Sequence, residues 1–376
     1  MKQLFDNQIA DAQATPVEPL SPDRFPFDTY SEYEAARHER CRAFWAAPSG
    51  VLVYRRMRVA PVFSAGCRDM EMSLKWQLGG LAASMDYEAD IPNFLEPWYG
   101  IGTIASAFGA TYQWEPGQAP ATRPLFNSVT DALTAPFCAV AETEIGKHTL
   151  EMLRYFVDQT QGRLPISLTD TQSPLNSATG IVDINSFFLD LMDNPDGVTT
   201  LLQRVSDLLI AFTQTQVAEI GKALVWPGHG FASSRVFSGL GMSDDTVLMV
   251  GEEMYRELVA PALVRTGEPF GGIAFHSCGD WSAKVGMVRA LSHVRMVDGA
   301  FSAQTDPSPN PAEVFPEAFV NSGIVLNARI VGGVEVIEET VKKLWHPGMK
   351  LIVVTYCTTP EEQAEAYRRI HQICAC

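Results

Sequence analysis

The chain has 376 residues, of which 46% are hydrophobic and 19% are charged, and this composition is typical of a soluble globular protein. Its 44 acidic residues outnumber its 28 lysines and arginines, which gives a formal net charge of −16 and argues against binding to nucleic acid or to an anionic membrane. No apolar run approaches the roughly 20 residues that cross a bilayer, and the first residues lack the basic-then-apolar order of a signal peptide. We therefore expect a cytoplasmic protein whose seven cysteines are reduced thiols, some of them ligands.

Residues 1–50 are predicted to form an N-terminal arm and a helix. Four prolines between positions 16 and 26 would interrupt any helix in the arm, whereas Tyr30–Trp45 has the spacing of apolar residues that is typical of a helix. Val51–Tyr54 and Ala60–Phe63 are predicted strands, and Cys67–Met85 is a predicted helix.

From about residue 160 onward, strands and helices are predicted to alternate. Such alternation indicates parallel strands with helical crossovers, in either an open doubly wound sheet or a closed eight-stranded barrel. The barrel is favoured because polar residues recur at the strand ends, and in a barrel all of these would meet at one rim. These strand-end residues are Asp170, Asp244, His276, Asp298, Asn327 and Cys357. The predicted strands are Leu164–Asp170, Arg235–Leu240, Gly271–Phe275, Val294–Asp298, Ile324–Asn327 and Leu351–Tyr356.

No glycine-rich dinucleotide motif follows a strand, and no internal repeat or linker divides the chain. We therefore expect residues 1–376 to form one α/β domain, a TIM-type (β/α)8 barrel with an N-terminal helical elaboration.

The segment His276-Ser277-Cys278 is the main candidate for chemistry. Successive side chains of a strand point to opposite faces, so His276 and Cys278 should project in the same direction. Imidazole nitrogen and thiolate sulfur are ligands that zinc prefers, and Cys357 at another strand end could supply a third. The alternative is that the cysteines are small buried hydrophobes and that the histidine is a core residue with its hydrogen bonds satisfied.

Other polar residues have weaker claims to a role. Asp244 and Asp245 are candidate catalytic groups, as hydrogen-bond or proton acceptors, although either could instead cap the helix that follows. Asp170, Asp298 and Asn327 are candidate pocket residues with the same alternative. Cys374 and Cys376 form a frayed tail, a redox pair or a reach to the metal, and the remaining histidines, including His229, are interpreted as structural or surface residues.

Several short motifs in the last two thirds of the chain carry a resemblance to a known family. They are Pro165–Leu168, Asn176–Thr179, Leu191–Asp196, Met254–Pro261, His276–Asp280, Gly323–Gly332 and Thr358–Glu362. On these residues the chain resembles the uroporphyrinogen decarboxylase superfamily, and within it the zinc-dependent methylcobamide:coenzyme M and related corrinoid-protein methyltransferases. The arginine-rich N-terminal motifs of the true decarboxylases are not found in this sequence.

The resemblance implies a TIM-type barrel and a zinc ion held by His276, Cys278 and Cys357. It implies transfer of a methyl group between a corrinoid, carried by a partner protein, and a zinc-activated thiol or related acceptor. The expected partners are therefore the corrinoid protein and a small thiol or methyl donor, with no nucleic acid and no membrane, and a homodimer is left open. The alternative is a decarboxylase-like enzyme or a tetrapyrrole-binding protein without metal.

Overall fold

The structure is a computed structural model that describes residues 14–115 and 119–375. Six strands form one sheet in the order β1-β6-β5-β4-β3-β2, and every neighbouring pair is parallel. Because all strands run the same way, their carboxyl ends meet at one edge. The strands are β1 (Gly50–Arg55), β2 (Leu240–Ser243), β3 (Ile273–His276), β4 (Val294–Ala300), β5 (Val325–Ile330) and β6 (Lys350–Thr355).

Shorter extended segments connect the two edges of this sheet, β1 and β2, and so close it. Each makes only one or two ladder contacts, and the contacts together run around the gap. They are Asp90 with Val53, Leu95 with Ile166, Ile166 with Leu224, and Gln172 with Ser243. This closed arrangement confirms the predicted TIM-type barrel.

Helices surround the barrel and link its strands. They are α1 (Phe27–Ala46), α2 (Met70–Ser84), α3 (Val129–Thr134), α4 (Glu144–Thr160), α5 (Pro174–Ile181), α6 (Ile184–Asp193), α7 (Pro195–Ile220), α8 (Glu252–Met254, Tyr255–Val259 and Ala260–Gly267), α9 (Val285–Ala290), α10 (Phe315–Phe319), α11 (Val334–Leu344) and α12 (Pro360–Cys374). Within the described ranges, no helix is long and apolar enough to cross a membrane.

The middle of α8, Tyr255–Val259, is π-helical. Pro261 follows this segment and has no N–H to donate to the preceding turn, and one widened turn accommodates that loss. The side chain of Tyr255 is fully buried there and reaches the end of β2.

Side chains that alternate along the strands belong to two separate cores. Ala274, Met296 and Ile352 belong to a smaller cluster inside the barrel, whereas Phe275 and Val297 belong to the larger cluster that the helices cover. This period of two is the normal consequence of strand geometry. It also decides which strand-end residues face the mouth of the barrel.

Three of the predicted strands differ from the structure. Ala60–Phe63 forms a 3-10 turn, because Pro61 lies at its start and donates no ladder hydrogen bond. Arg235–Leu240 is mostly irregular, and the strand begins only at Leu240. Leu164–Asp170 contributes one bridging residue, Ile166, rather than a full strand.

Candidate metal centre

The end of β3 and the turn after it hold two candidate ligands. His276 is the last residue of the strand, and Cys278 lies in the exposed turn that follows. The turn needs a left-handed residue, which Gly279 supplies with a φ of 71°. As a result, His276 Nε2 lies 3.4 Å from Cys278 Sγ.

Asp245, just after the neighbouring strand β2, adds a third candidate ligand. Its Oδ1 accepts a hydrogen bond from the backbone N–H of Cys278 at 2.6 Å and lies 3.8 Å from His276 Nε2. The three ligand atoms all lie within 4.8 Å of one another. In a tetrahedral zinc site the ligand atoms are roughly 3.3–3.8 Å apart, given bonds of about 2.0–2.3 Å. The donor types therefore suit zinc, and the distances of 3.4 and 3.8 Å from His276 Nε2 to the other two ligand atoms fall within this range.

The imidazole of His276 is oriented from behind by a buried carboxylate. His276 Nδ1 donates to Asp298 Oδ2 at 2.6 Å, which leaves Nε2 facing Cys278 and Asp245. Strand register places His276 opposite Asp298, and Asp298 opposite Asn327. Histidines that bind metals are commonly held in this way, because the second hydrogen bond fixes both the tautomer and the ring.

Asp298 is itself fully buried and fully paired. It accepts from Asn327 Nδ2 at 2.5 Å and from Arg329 Nε at 2.9 Å, besides His276. Burial alone would raise the pKa of Asp298, but Arg329 and His276 outweigh that effect and lower the pKa below its ordinary value. Asp298 and Asn327, which the sequence assigned to a pocket, therefore lie beneath the site as its support.

The charges around His276 favour its protonated form when no metal is bound. Burial lowers the pKa of His276, but its electrostatic interactions and hydrogen bonds with Cys278 and Asp298 more than offset this effect, so the pKa is raised well above its ordinary value. A metal at Nε2 would take the place of this proton.

The fold and the site can now be compared with known proteins. The sequence model of the uroporphyrinogen decarboxylase (URO-D) family matches residues 44–354. The chain belongs to this family. No curated protein matches the sequence. Among solved structures, a methyltransferase from Methanosarcina mazei is similar, with 13% sequence identity and a TM-score of 0.60, over 89% of this chain and 98% of that chain. At this identity the likeness shows a shared fold.

In this URO-D family member, Cys357 is not part of the group formed by Asp245, His276 and Cys278. The thiol is 1% exposed, and burial raises its pKa to about 12. Its position in the alternation explains why: Ile352, Val354 and Tyr356 belong to the core inside the barrel, whereas Cys357 belongs to the core under the helices. The role of Cys357 as a ligand stays a prediction, and Asp245 is the third ligand that the geometry provides.

Asp244 lies behind the site rather than in the mouth. It is 0% exposed, and its Oδ2 accepts from the hydroxyl of Tyr255 at 2.6 Å. Its other oxygen has no hydrogen-bond partner among the described residues, and burial raises its pKa to about 7. The two aspartates that the sequence grouped together therefore have different surroundings.

Asp170 lies near the three candidate ligands and is linked to Asp245 through two side-chain amides. Its Oδ2 accepts from Gln172 Nε2 at 3.3 Å, and Gln172 Oε1 accepts from Asn176 Nδ2 at 2.9 Å. The same Asn176 amide lies 3.5 Å from Asp245 Oδ2. Burial raises the pKa of Asp170, and the charges of His229 and His276 only partly oppose this.

His229, interpreted from the sequence as structural or surface, lies in the mouth beside these acids. Its Nδ1 is 2.7 Å from Glu96 Oε2 and its Nε2 is 4.0 Å from Asp170 Oδ2, with the rings of Phe63 and Trp98 against the imidazole. Burial raises the pKa of Glu96, but His229 outweighs this effect, with help from two arginines, so the pKa is lowered. The only sequence signal was the position of this histidine between two glycines, Gly228 and Gly230. In the structure both glycines have positive φ.

Proposed function

We propose that this protein is a zinc-dependent methyltransferase that moves a methyl group between a corrinoid carried by a partner protein and a thiol or related acceptor. The observation that carries the proposal is the convergence of Asp245, His276 and Cys278 at the barrel mouth, with His276 Nε2 left available because Asp298 holds Nδ1. The name of the similar Methanosarcina protein agrees with it.

The residues would have two roles, to bind the metal and to orient one of its ligands. His276, Cys278 and Asp245 would bind the metal, and Asp298 would keep the imidazole in the required tautomer. A zinc ion in this set would lower the pKa of a thiol that takes its open position, and so would supply a thiolate at neutral pH. The exposed side chain of Cys278 leaves the centre open to the mouth, where a partner's corrinoid could approach.

Metal analysis tests the proposal first. Protein purified under reducing conditions without chelators should hold about one zinc per chain. Cys278→Ala and His276→Ala should lose the metal while the far-UV circular dichroism stays that of the wild type. Wild-type protein without metal would remove the basis of the proposal, and tight porphyrinogen binding by such protein would favour the metal-free alternative.

The third ligand is decided by comparing Asp245→Asn with Cys357→Ala. If Asp245 is the ligand, Asp245→Asn weakens zinc binding and Cys357→Ala does not. Replacement of zinc by cobalt gives an independent reading, because the intensity of the thiolate-to-cobalt absorption reports whether one or two thiolates bind. A Cys357→Ala variant with half the wild-type intensity would instead assign Cys357 to the site.

Activity is tested by incubating the zinc-loaded protein with methylcobalamin and a panel of small thiols. Methylated thiol should accumulate with the wild-type protein and not with Cys278→Ala. If zinc is bound but no thiol on the panel is methylated, the metal centre is retained and the methyltransferase assignment is rejected.

A further inference from the structure

A carboxylate–imidazole pair, Glu96 and His229, lies at the barrel mouth and has no part in the group of candidate ligands. His229 Nδ1 is 2.7 Å from Glu96 Oε2, which is the length of a charge-assisted hydrogen bond. The other ring nitrogen, Nε2, has no hydrogen-bond partner among the described residues, and Asp170 Oδ2 lies 4.0 Å from it, beyond hydrogen-bond reach. The imidazole side chain keeps 18% of its surface exposed, so a small molecule in the mouth can reach it.

The surroundings of the pair fix the tautomer of the imidazole. Burial raises the pKa of Glu96, but His229 and two arginines outweigh this effect and lower the pKa, so the carboxylate is ionised and can only accept a hydrogen bond. Nδ1 therefore carries the proton, and in the neutral imidazole the lone pair lies on Nε2.

Both members of the pair are also held in place. The backbone N–H of Glu96 donates to Gln77 Oε1 at 2.6 Å, and the backbone carbonyl of Glu96 accepts from Gln77 Nε2 at 2.9 Å. The rings of Phe63 and Trp98 lie against the imidazole, with centroid distances of 6.0 and 6.2 Å. An imidazole that is oriented by a carboxylate and has an unpaired second nitrogen is the arrangement of a general base.

The loop that carries His229 also contacts the candidate metal centre. The ring of Phe231, two residues further along, lies 6.5 Å from the imidazole of His276, centroid to centroid, and nearly perpendicular to it. Burial raises the pKa of Asp170, and the charges of His229 and His276 both oppose this, so both imidazoles lie near the same buried carboxylate. A substrate bound at the metal centre would therefore be close to His229.

A thiol that binds to a metal as thiolate has to lose its proton. The candidate ligands would direct their lone pairs at the metal, so the proton goes either to water or to a separate base. A base that is held beside the reacting group speeds such a transfer.

We propose that His229 is this base and accepts the proton of the thiol substrate, with Glu96 as the residue that positions it. In this step the S–H bond breaks, the proton forms a bond to the lone pair of Nε2, and the sulfur keeps the bonding pair with which it later attacks the methyl group. The thiol as the source of the proton rests on the proposed function, whereas the tautomer of His229 does not.

The tautomer is measured by NMR of protein with nitrogen-15-labelled histidine rings, in which His229→Gln assigns the signals. At pH 8 we expect Nδ1 of His229 to be protonated and Nε2 to have the shift of an unprotonated ring nitrogen. Glu96→Ala should mix the two tautomers. His346→Gln removes an exposed imidazole between α11 and β6, at the opposite end of the barrel, and should leave the His229 signals unchanged. A proton on Nε2 in the wild type at pH 8 would overturn the proposal.

The destination of the thiol proton is measured by calorimetry. Zinc-loaded protein is titrated with 2-mercaptoethanol in buffers of different ionisation enthalpy, which gives the number of protons released for each thiol bound. The wild type and His346→Gln should release close to none, because His229 keeps the proton, whereas His229→Gln should release about one. Equal release by the wild type and His229→Gln would overturn the proposal. If the zinc-loaded wild type binds no thiol, the proposed function is rejected together with the thiol as proton source, and the NMR result alone decides whether the pair is a base.

The rate of methyl transfer gives a further reading. With methylcobalamin and 2-mercaptoethanol at pH 7, His229→Gln should be slower than the wild type by about 100-fold or more, which is the usual contribution of a positioned base. This loss should become smaller as the pH rises toward the range in which the thiol ionises in solution, and the zinc content should not change. A variant with the rate and the pH profile of the wild type would show that His229 does not take the proton.

Discussion

Asp298→Asn is the substitution that tests the architecture of the site most sharply. It keeps the shape of the side chain but removes its charge and replaces one accepting oxygen with an NH2 donor. The carboxylate is completely buried and receives hydrogen bonds from His276, Asn327 and Arg329 at 2.5–2.9 Å. Its loss leaves the guanidinium of Arg329, of which 12% is exposed, without a counter-ion. Breaking one partner of such a buried pair costs about 3–5 kcal/mol of folding free energy.

The same change should weaken metal binding. Without the carboxylate, the imidazole of His276 is no longer held firmly with Nε2 toward Cys278, and loss of a support of this kind reduces metal affinity about 10–100-fold. The pKa of Asp298 is lowered in the folded protein, so its stabilisation is present at neutral pH and is lost only as the pH falls through that lowered value. The measurements are therefore urea unfolding of the metal-free protein and zinc competition with a chelator, both at pH 7.

Two controls make the result interpretable. Asp207→Asn breaks an ion pair that is shorter, 2.5 Å to Arg265 against 2.9 Å for Asp298 and Arg329, but both of its partners are about half exposed, so it should cost less than about 1 kcal/mol. The double variant Asp298→Asn/Arg329→Met removes both buried charges and should cost less than the two single changes added together. If Asp298→Asn unfolds no more easily than Asp207→Asn and binds zinc as the wild type does, Asp298 does not support the centre.

Further predictions concern groups around the same centre. Burial raises the pKa of Asp244 to about 7, so the folded state loses up to roughly 4 kcal/mol of stability as the pH rises from about 4 to 7. Asp244→Asn should remove this dependence of the unfolding free energy on pH, measured by urea unfolding at pH 5 and 8. An unchanged dependence in the variant would contradict the assignment. The pKa of His276 is raised in the metal-free protein, so the stabilisation that its protonated form provides is full below about pH 6.5 and is lost as the pH rises through the raised value. Zinc affinity, measured by competition with a chelator, should increase with pH over that same interval. An affinity that does not change with pH would refute the protonated imidazole. Gly279→Ala places a side chain at a φ of 71°, with its Cβ 3.3 Å from Leu248. We therefore expect the free energy of unfolding to fall by about 1–2 kcal/mol and zinc binding to weaken. A variant that retains both stability and zinc affinity would show that the turn does not require glycine.

The strands β3 to β6 were predicted well because they are mainly apolar segments bounded by turn residues. It failed at Ala60–Phe63, where one proline decides against a strand, and at Arg235–Leu240, where the apolar residues pack inside the barrel from irregular backbone. The pairing of His276 with Cys278 was predicted from their two-residue spacing, although Cys278 lies in the turn after β3 and not on the strand. The supporting role of Asp298 did not, because it depends on the register between β3 and β4.

Residues that come together from distant parts of the chain could not be placed from the sequence. His229 meets Glu96 across 133 positions, and no local pattern records that contact. Asp245 rather than Cys357 is grouped with His276, because Cys357 follows β6 on the side of the sheet that the helices cover. Alternate residues of a strand face opposite sides of the sheet, but the sequence alone does not show which of the two sides faces the barrel axis.

The candidate ligands lie in the second half of the chain, whereas most of the wall of a cavity of about 190 Å³ beside Asp245 comes from the first half, and only Asp245 and Thr246 come from the second. Asp245, His276 and their buried support lie between residues 240 and 330, whereas Ser177, Asp170 and the loop after Tyr99 lie before residue 180. Mutations of the earlier residues would therefore reshape the cavity wall without replacing a candidate ligand. A lineage built on this arrangement could diversify the small pocket beside the site while retaining the same three candidate ligands.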